Sequence, residues 1–333
     1  MTWARGTLLL ALLVLALVSR PDVGAPPALA SAQLEDAAAS WDGVLADTTR
    51  LRGLTPQAEI PRTLLTREQL QARVVEQLGR ASTAQRLATN ARLLTTLGML
   101  DRGADLRGPL LQFRGELVLG QYDPETKRLY VVTTASTLGP LERVTAAHEY
   151  THALQDQYFD LRRLRPRDPA SADRSLAVSA LVEADATFMA ERYANGVLTA
   201  AEREERRRQV RELYRAVDLD RIPLVIREQS YFPYTEGPRF LRQVLGEDTM
   251  RGNGYGAAVD RLLADPPRAT AQILHPERYL RGVAPVDVAL GAPAAALGAD
   301  WRETRQGVLG ELDHRLLVQR YLDAAVAARA AEG

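Results

Sequence analysis

The fragment AAHEYTHALQDQ, residues 146–157, puts His148 and His152 four positions apart with Glu149 beside the first, in a chain holding four histidines in all. On an α-helix a step of four residues turns about 400°, so both imidazoles leave nearly the same face one turn apart. One metal ion can accept both. Glu149 stands about 100° around the helix from His148, close to such a metal but angled past it, which suits a base better than a ligand. Zinc held there lowers the pKa of its water towards about 7 and polarises a scissile carbonyl. Glu149 then takes the proton and hands it to the leaving amine. The plain alternative is an amphipathic helix with surface histidines. Val144, Ala147, Thr151 and Leu154 do form an apolar stripe, on a different face from the histidines.

A catalytic zinc site wants three protein ligands and an open position. His275 and His314 lie too far along the chain to be a third histidine from the adjoining loop. The stretch SALVEADATFMAERY offers Glu183, read here as the single acid embedded in a packing stripe of Ala177, Ala180, Leu181, Ala184 and Phe188. A charge there needs a partner. By itself Glu183 is either a metal ligand or a salt-bridge partner at the core edge; HEYTH upstream favours the ligand.

The elements that must hold these residues follow from periodicity. Helices are expected over Leu34 to Arg52, after a Thr66 N-cap in LTREQLQARVVEQL, over Ala84 to Leu97 ending at Gly98, and then over Leu141 to Asp160, Ala172 to Asn195 and Ala200 to Val217. GLTPQAEIPRTLLT reads as a Pro-interrupted link that forms no element, and FPYTEGP and ADPPRATAQILHPERYL read as connections between helices. GELVLGQYDPETKRLYVV reads as a β-hairpin turning at Asp123 to Thr126. This is an α+β pattern, mostly helical, with a small sheet just before the histidine helix. AEREERRRQVRELYRAV is a solvated face laced with ion pairs.

Bulk composition sets limits. With 333 residues, 46% hydrophobic and 25% charged, the chain can bury a sizeable core. Its 42 basic and 42 acidic residues cancel, so no electrostatic footprint points to nucleic acid. The N-terminal MTWARGTLLLALLVLALVSR, apolar from Leu8 to Val18, reads as a secretory signal peptide over residues 1–32, cut near Ala30 or Ala32. The run is shorter than the roughly 20 residues of a membrane span, so an uncut leader is the only membrane anchor expected. Residues 33–333 are then one domain, 33–160 carrying the sheet and the histidine helix and 161–333 the third ligand; residues 33–65 could serve as a pro-segment. No cysteine is present, hence no disulfide. The chain is expected to be exported, secreted or associated with the cell envelope of a bacterium.

The ordered blocks GQYDPETKRLYVV, AHEYTHALQDQYFDL, ALVEADAT, FPYTEG and ILHPERYL, within residues 113–280, resemble the gluzincin metallopeptidases, and more narrowly a family of exported, largely uncharacterised bacterial gluzincin-like proteins. The resemblance implies a zincin-like fold and one zinc ion on His148, His152 and Glu183, with Glu149 catalytic. It implies a peptide or protein substrate, and that the strand near Val118 to Tyr122 borders the cleft, where an extended peptide could add as a further strand. Two departures stand out: Ala184 occupies a position where such families usually have glycine, and the chain stops at AARAAEG where relatives are expected to continue. An oxyanion donor is sought in His275 first, then Tyr234 or Tyr279; His275 could instead be a structural histidine before a Pro-led turn. Asp156 either orients an imidazole or is a solvated or capping aspartate. His314 is an ordinary surface histidine. Against the peptidase stands a metal-binding envelope protein that keeps the scaffold for interaction or structure and turns over nothing.

Overall fold

The computed structural model describes residues 31–332 apart from 80, 105, 109, 111–118, 134–136, 166–171, 216–221, 287, 289–290, 292–295, 299 and 304–305. Residues 1–30 of the expected leader and Val118 lie outside them. No helix among the described residues is long and apolar enough to cross a membrane.

Helix α1 (Ser31–Arg52) leads to strand β1 (Arg62–Leu65), followed by α2 (Arg67–Gly79) and α3 (Ala81–Thr96). Thr66 caps α2 reciprocally: its Oγ1 accepts from Gln69 N while Gln69 Oε1 accepts from Thr66 N, a capping box in its donor and acceptor pattern. The hairpin β2 (Gly120–Asp123) and β3 (Arg128–Val132) turns on Asp123, whose carboxylate accepts from Glu125 N and Thr126 N. Then come the histidine helix α4 (Pro140–Phe159), a short α5 (Leu161–Leu164), α6 (Ala172–Val197), and the charged α7 (Ala200–Arg215). Further on lie α8 (Leu224–Arg251), α9 (Tyr255–Ala264), α10 (Thr270–Leu274), α11 (Pro276–Leu280), α12 (Glu311–Gln319) and α13 (Ala324–Ala331). The architecture is α+β, mostly helical, with one three-stranded sheet.

Three sequence expectations need correction. The segment taken as a link contains β1, which pairs in parallel with β3, Arg62 opposite Leu129, so the sheet order is β1-β3-β2. The prolines at 56 and 61 end before the strand starts, and a parallel partner 67 positions away leaves no local signal. FPYTEGP is no connection: Pro233 and Pro238 both sit inside α8, which departs from helical geometry only at Gly246. ADPPRATAQILHPERYL contains the short helices α10 and α11.

Two apolar clusters meet along α4 and α6. One joins α1, the hairpin, α4 and the end of α6 through Trp41, Tyr122, Leu129, Val131, Leu154 and Tyr193. The other joins α6 to α8 and the later helices through Leu181, Phe240, Leu241, Tyr255 and Ile273. Small residues make this seam narrow. A Cβ on Gly237 of α8 would stand 2.2 Å from the carbonyl oxygen of Ala180 on α6, so only glycine lets the two backbones approach so closely. That contact lies one turn before Glu183 on α6. Gly237→Ala is expected to lower the unfolding free energy by about 3 kcal/mol, the upper end of overpacking costs, measured as a fall in the urea midpoint at unchanged slope.

Candidate metal centre

Helix α4 starts from Gly139 with Pro140 in its first turn and stops where Asp160 adopts a left-handed φ of 52°. Between them every residue from Val144 to Asp156 is buried. The apolar stripe and the histidine face are both covered, one by the hairpin cluster and the other by α6, so α4 is a central helix and not an amphipathic surface one.

The histidine face meets Glu183 of α6. His152 Nε2 lies 3.1 Å from His148 Nε2 and 3.2 Å from Glu183 Oε2, and His148 Nε2 lies 3.3 Å from the same oxygen. The two imidazoles are set edge to face, at an interplanar angle of 85°. A tetrahedral zinc with bonds of about 2.0 Å has ligand atoms about 3.3 Å apart, so these three separations match the edges of one face of such a tetrahedron. Two nitrogens and a carboxylate oxygen are also ligand types that zinc accepts. The residues present therefore fit the ion, and among the described residues this is the one group of three or more His, Cys, Asp or Glu side chains able to hold a metal.

Glu149 stays out of that triangle. Its Oε2 accepts a 2.8 Å hydrogen bond from Tyr122 N on β2. Val132 N donates to Leu119 O, which makes Gly120 opposite Val131 and Tyr122 opposite Leu129 the pairs without mutual hydrogen bonds. The backbone groups of Gly120 and Tyr122 therefore point away from β3, on the edge facing Glu149. Gly120 is needed there, since a Cβ would stand 2.7 Å from Thr145 Cγ2 and 3.0 Å from Glu149 Cγ. Burial pushes the Glu149 carboxyl up to about 7; His148 and the Tyr122 N–H pull against this, and the Glu183 charge adds to it. Burial works the same way on Glu183, yet the two imidazoles outweigh it and hold that carboxyl well below the usual range.

Three of the other sequence candidates have their hydrogen-bond partners elsewhere. Asp156 reaches no imidazole: it accepts from Tyr122 Oη at 2.7 Å, Lys127 Nζ at 2.6 Å and Leu161 N at 3.0 Å, tying the hairpin to α4 and capping α5. His275 pairs with Glu311 at 2.8 Å and neighbours Arg315, both on α12, so its ring is engaged in joining α10 to α12. Tyr279 donates to Asp265 O and packs its ring on Phe240. Tyr234 is buried on α8 within the second apolar cluster. The hydrogen bonds of Asp156, His275 and Tyr279 thus run to groups outside the His148, His152 and Glu183 cluster.

Two residues behind the cluster escaped the sequence reading. Gln155 Oε1 lies 2.8 Å from His152 Nδ1, and Asp185, fully buried two positions after Glu183, meets Gln155, Arg52 and Tyr255. Glu183 is thus not the only buried acid near its position on the helix. The helical offset of three from His152 to Gln155 was a usable signal; the partners of Asp185, on α1 and α9, were not.

No protein-family model, curated protein or solved structure matches the chain. What stands on its own is a mostly helical α+β chain with a buried His-His-Glu cluster and a carboxylate beside it.

A ligand that binds only the folded protein at one hundred times its Kd stabilises it by about 2.7 kcal/mol. Free zinc at that excess is expected to raise the urea unfolding free energy by about that amount, and Glu183→Gln is expected to remove most of the increment.

Proposed function

We propose that the protein is a zinc-dependent peptidase of the gluzincin type, with a zincin-like fold and an exported location. The observation that carries the reading is the convergence of His148, His152 and Glu183 at the edge lengths of a zinc tetrahedron, with Glu149 adjacent and not a ligand. His148, His152 and Glu183 hold the ion. When bound, zinc supplies Lewis acidity towards the scissile carbonyl and towards water. Glu149 accepts the proton of the attacking water as the new C–O bond forms, and returns it to the amine nitrogen as the C–N bond breaks. Tyr122 N–H keeps the carboxylate aimed by holding Oε2. The outward edge of β2 beside Glu149 suits an extended peptide laid on as a further strand. Export rests on the leader motif of the sequence.

One observation favours a second reading. His148 is 3% exposed, Glu149 1%, His152 0% and Glu183 2%, and all four residues of β2 are buried. A closed site of this kind suits a metal that stabilises the fold and turns over nothing. Retention of a carboxylate beside the cluster, in no ligand position, weighs for the peptidase.

Glu149→Gln separates the two. For a peptidase, hydrolysis of a broad peptide library is abolished by chelator and restored by zinc, and the variant loses about 10²–10⁴ in rate while keeping its zinc. Library cleavage that is absent, or unchanged in the variant, excludes the peptidase and leaves the structural metal.

A further inference from the structure

Resting on the metal reading above, we infer that Gln155, held by Asp185, is a positioning residue that fixes His152 with its proton on Nδ1 and a lone pair on Nε2 directed at the cluster. The argument begins with the amide. One end of Gln155 lies 3.0 Å from the carbonyl oxygen of Val182 and 2.8 Å from Asp185 Oδ2. A backbone carbonyl can only accept, so the atom facing it is the nitrogen, Nε2, and both of its protons are used. The other end, Oε1, must then face His152 Nδ1 at 2.8 Å. An amide oxygen can only accept, so Nδ1 carries a proton, and the neutral ring then has its lone pair on Nε2.

The amide cannot turn over without losing both donations in a fully buried place, since Gln155 and Asp185 are each 0% exposed. Asp185 is fixed in turn. Its Oδ2 also accepts from Arg52 Nε at 3.0 Å, its Oδ1 accepts from Tyr255 Oη at 2.9 Å, and Arg52 reaches on to Asp260 at 2.5 Å. The last residue of α1 and the first of α9 thus hold the group that orients Gln155. His148 has no such support: its Nδ1 is buried without a hydrogen-bond partner among the described residues. The tautomer lock acts on one of the two histidines, and it acts before any ion arrives.

Long-range ¹H–¹⁵N NMR on the metal-free full chain reads ring tautomers directly, and four histidines are few enough to assign by single substitutions. His152 is expected as the Nδ1–H form in the unsubstituted protein. In Gln155→Met it is expected to populate the Nε2–H form, with zinc affinity, measured by chelator competition, reduced ten- to a hundredfold, the usual loss for a partner behind a metal ligand. An Nε2–H tautomer in the unsubstituted metal-free protein overturns the inference, and that measurement stands even if the variant does not fold. So does a folded Gln155→Met with unchanged tautomer and affinity. If His152 is Nδ1–H but the chain takes up no zinc, the lock is supported and the metal reading of the cluster falls.

Discussion

The carboxylate of Glu183 is 2% exposed on a helix lined with alanine, where an unpaired charge costs several kcal/mol. A proton or cation shared with the two imidazoles facing it relieves that cost, and those imidazoles stand on a helix buried from Val144 to Asp156. Much of the architecture answers this requirement. The hairpin covers one face of α4 and α6 the other, while Gly237 brings α8 against the far side of α6. A sheet of three short strands is sufficient because its task is local: to bring the Tyr122 N–H to Glu149 and the Tyr122 hydroxyl to Asp156.

Charge is compensated in layers. His148, His152 and Glu183 form the inner set; Asp185, Arg52 and Asp260 form another behind it, joined to the first through the neutral amide of Gln155. Putting an amide between the two sets keeps the Asp185 charge away from the imidazole nitrogens while still meeting one of them. A carboxylate placed directly on His152 would add a negative charge to a site that already holds Glu149 and Glu183. Arg52 spans two acids and so fastens α1 to both α6 and α9.

What the sequence reveals here is what repeats locally. The spacing of His148 and His152, the Thr66 cap, the turn at Asp123 and the bounds of α4, α6 and α7 each depend on residues within a few positions of one another. What it hides depends on distant partners. Asp156 looked free to orient an imidazole because Tyr122 and Lys127, which claim it, come from the hairpin. β1 looked like a link because its partner β3 lies far along the chain. Pro233 and Pro238 argued against a helix, yet both lie inside α8, where Gly237 packs closely on Ala180. The meeting of His148, His152 and Glu183 was therefore legible from two motifs, and the residues behind them were not.

The span of these contacts along the chain also grades the entropic cost of closing them. His152 and Glu183 are 31 positions apart, so the cluster can form from α4 and α6 alone, closing a short loop at small entropic cost. The bond from Arg52 to Asp260 spans 208 positions and needs both flanks of the chain in place. By loop-closure entropy the middle of the molecule closes at lower cost than the contact that joins α1 to α9. Before that contact forms, the imidazoles can already face Glu183 while Asp185 lacks the guanidinium that steadies it.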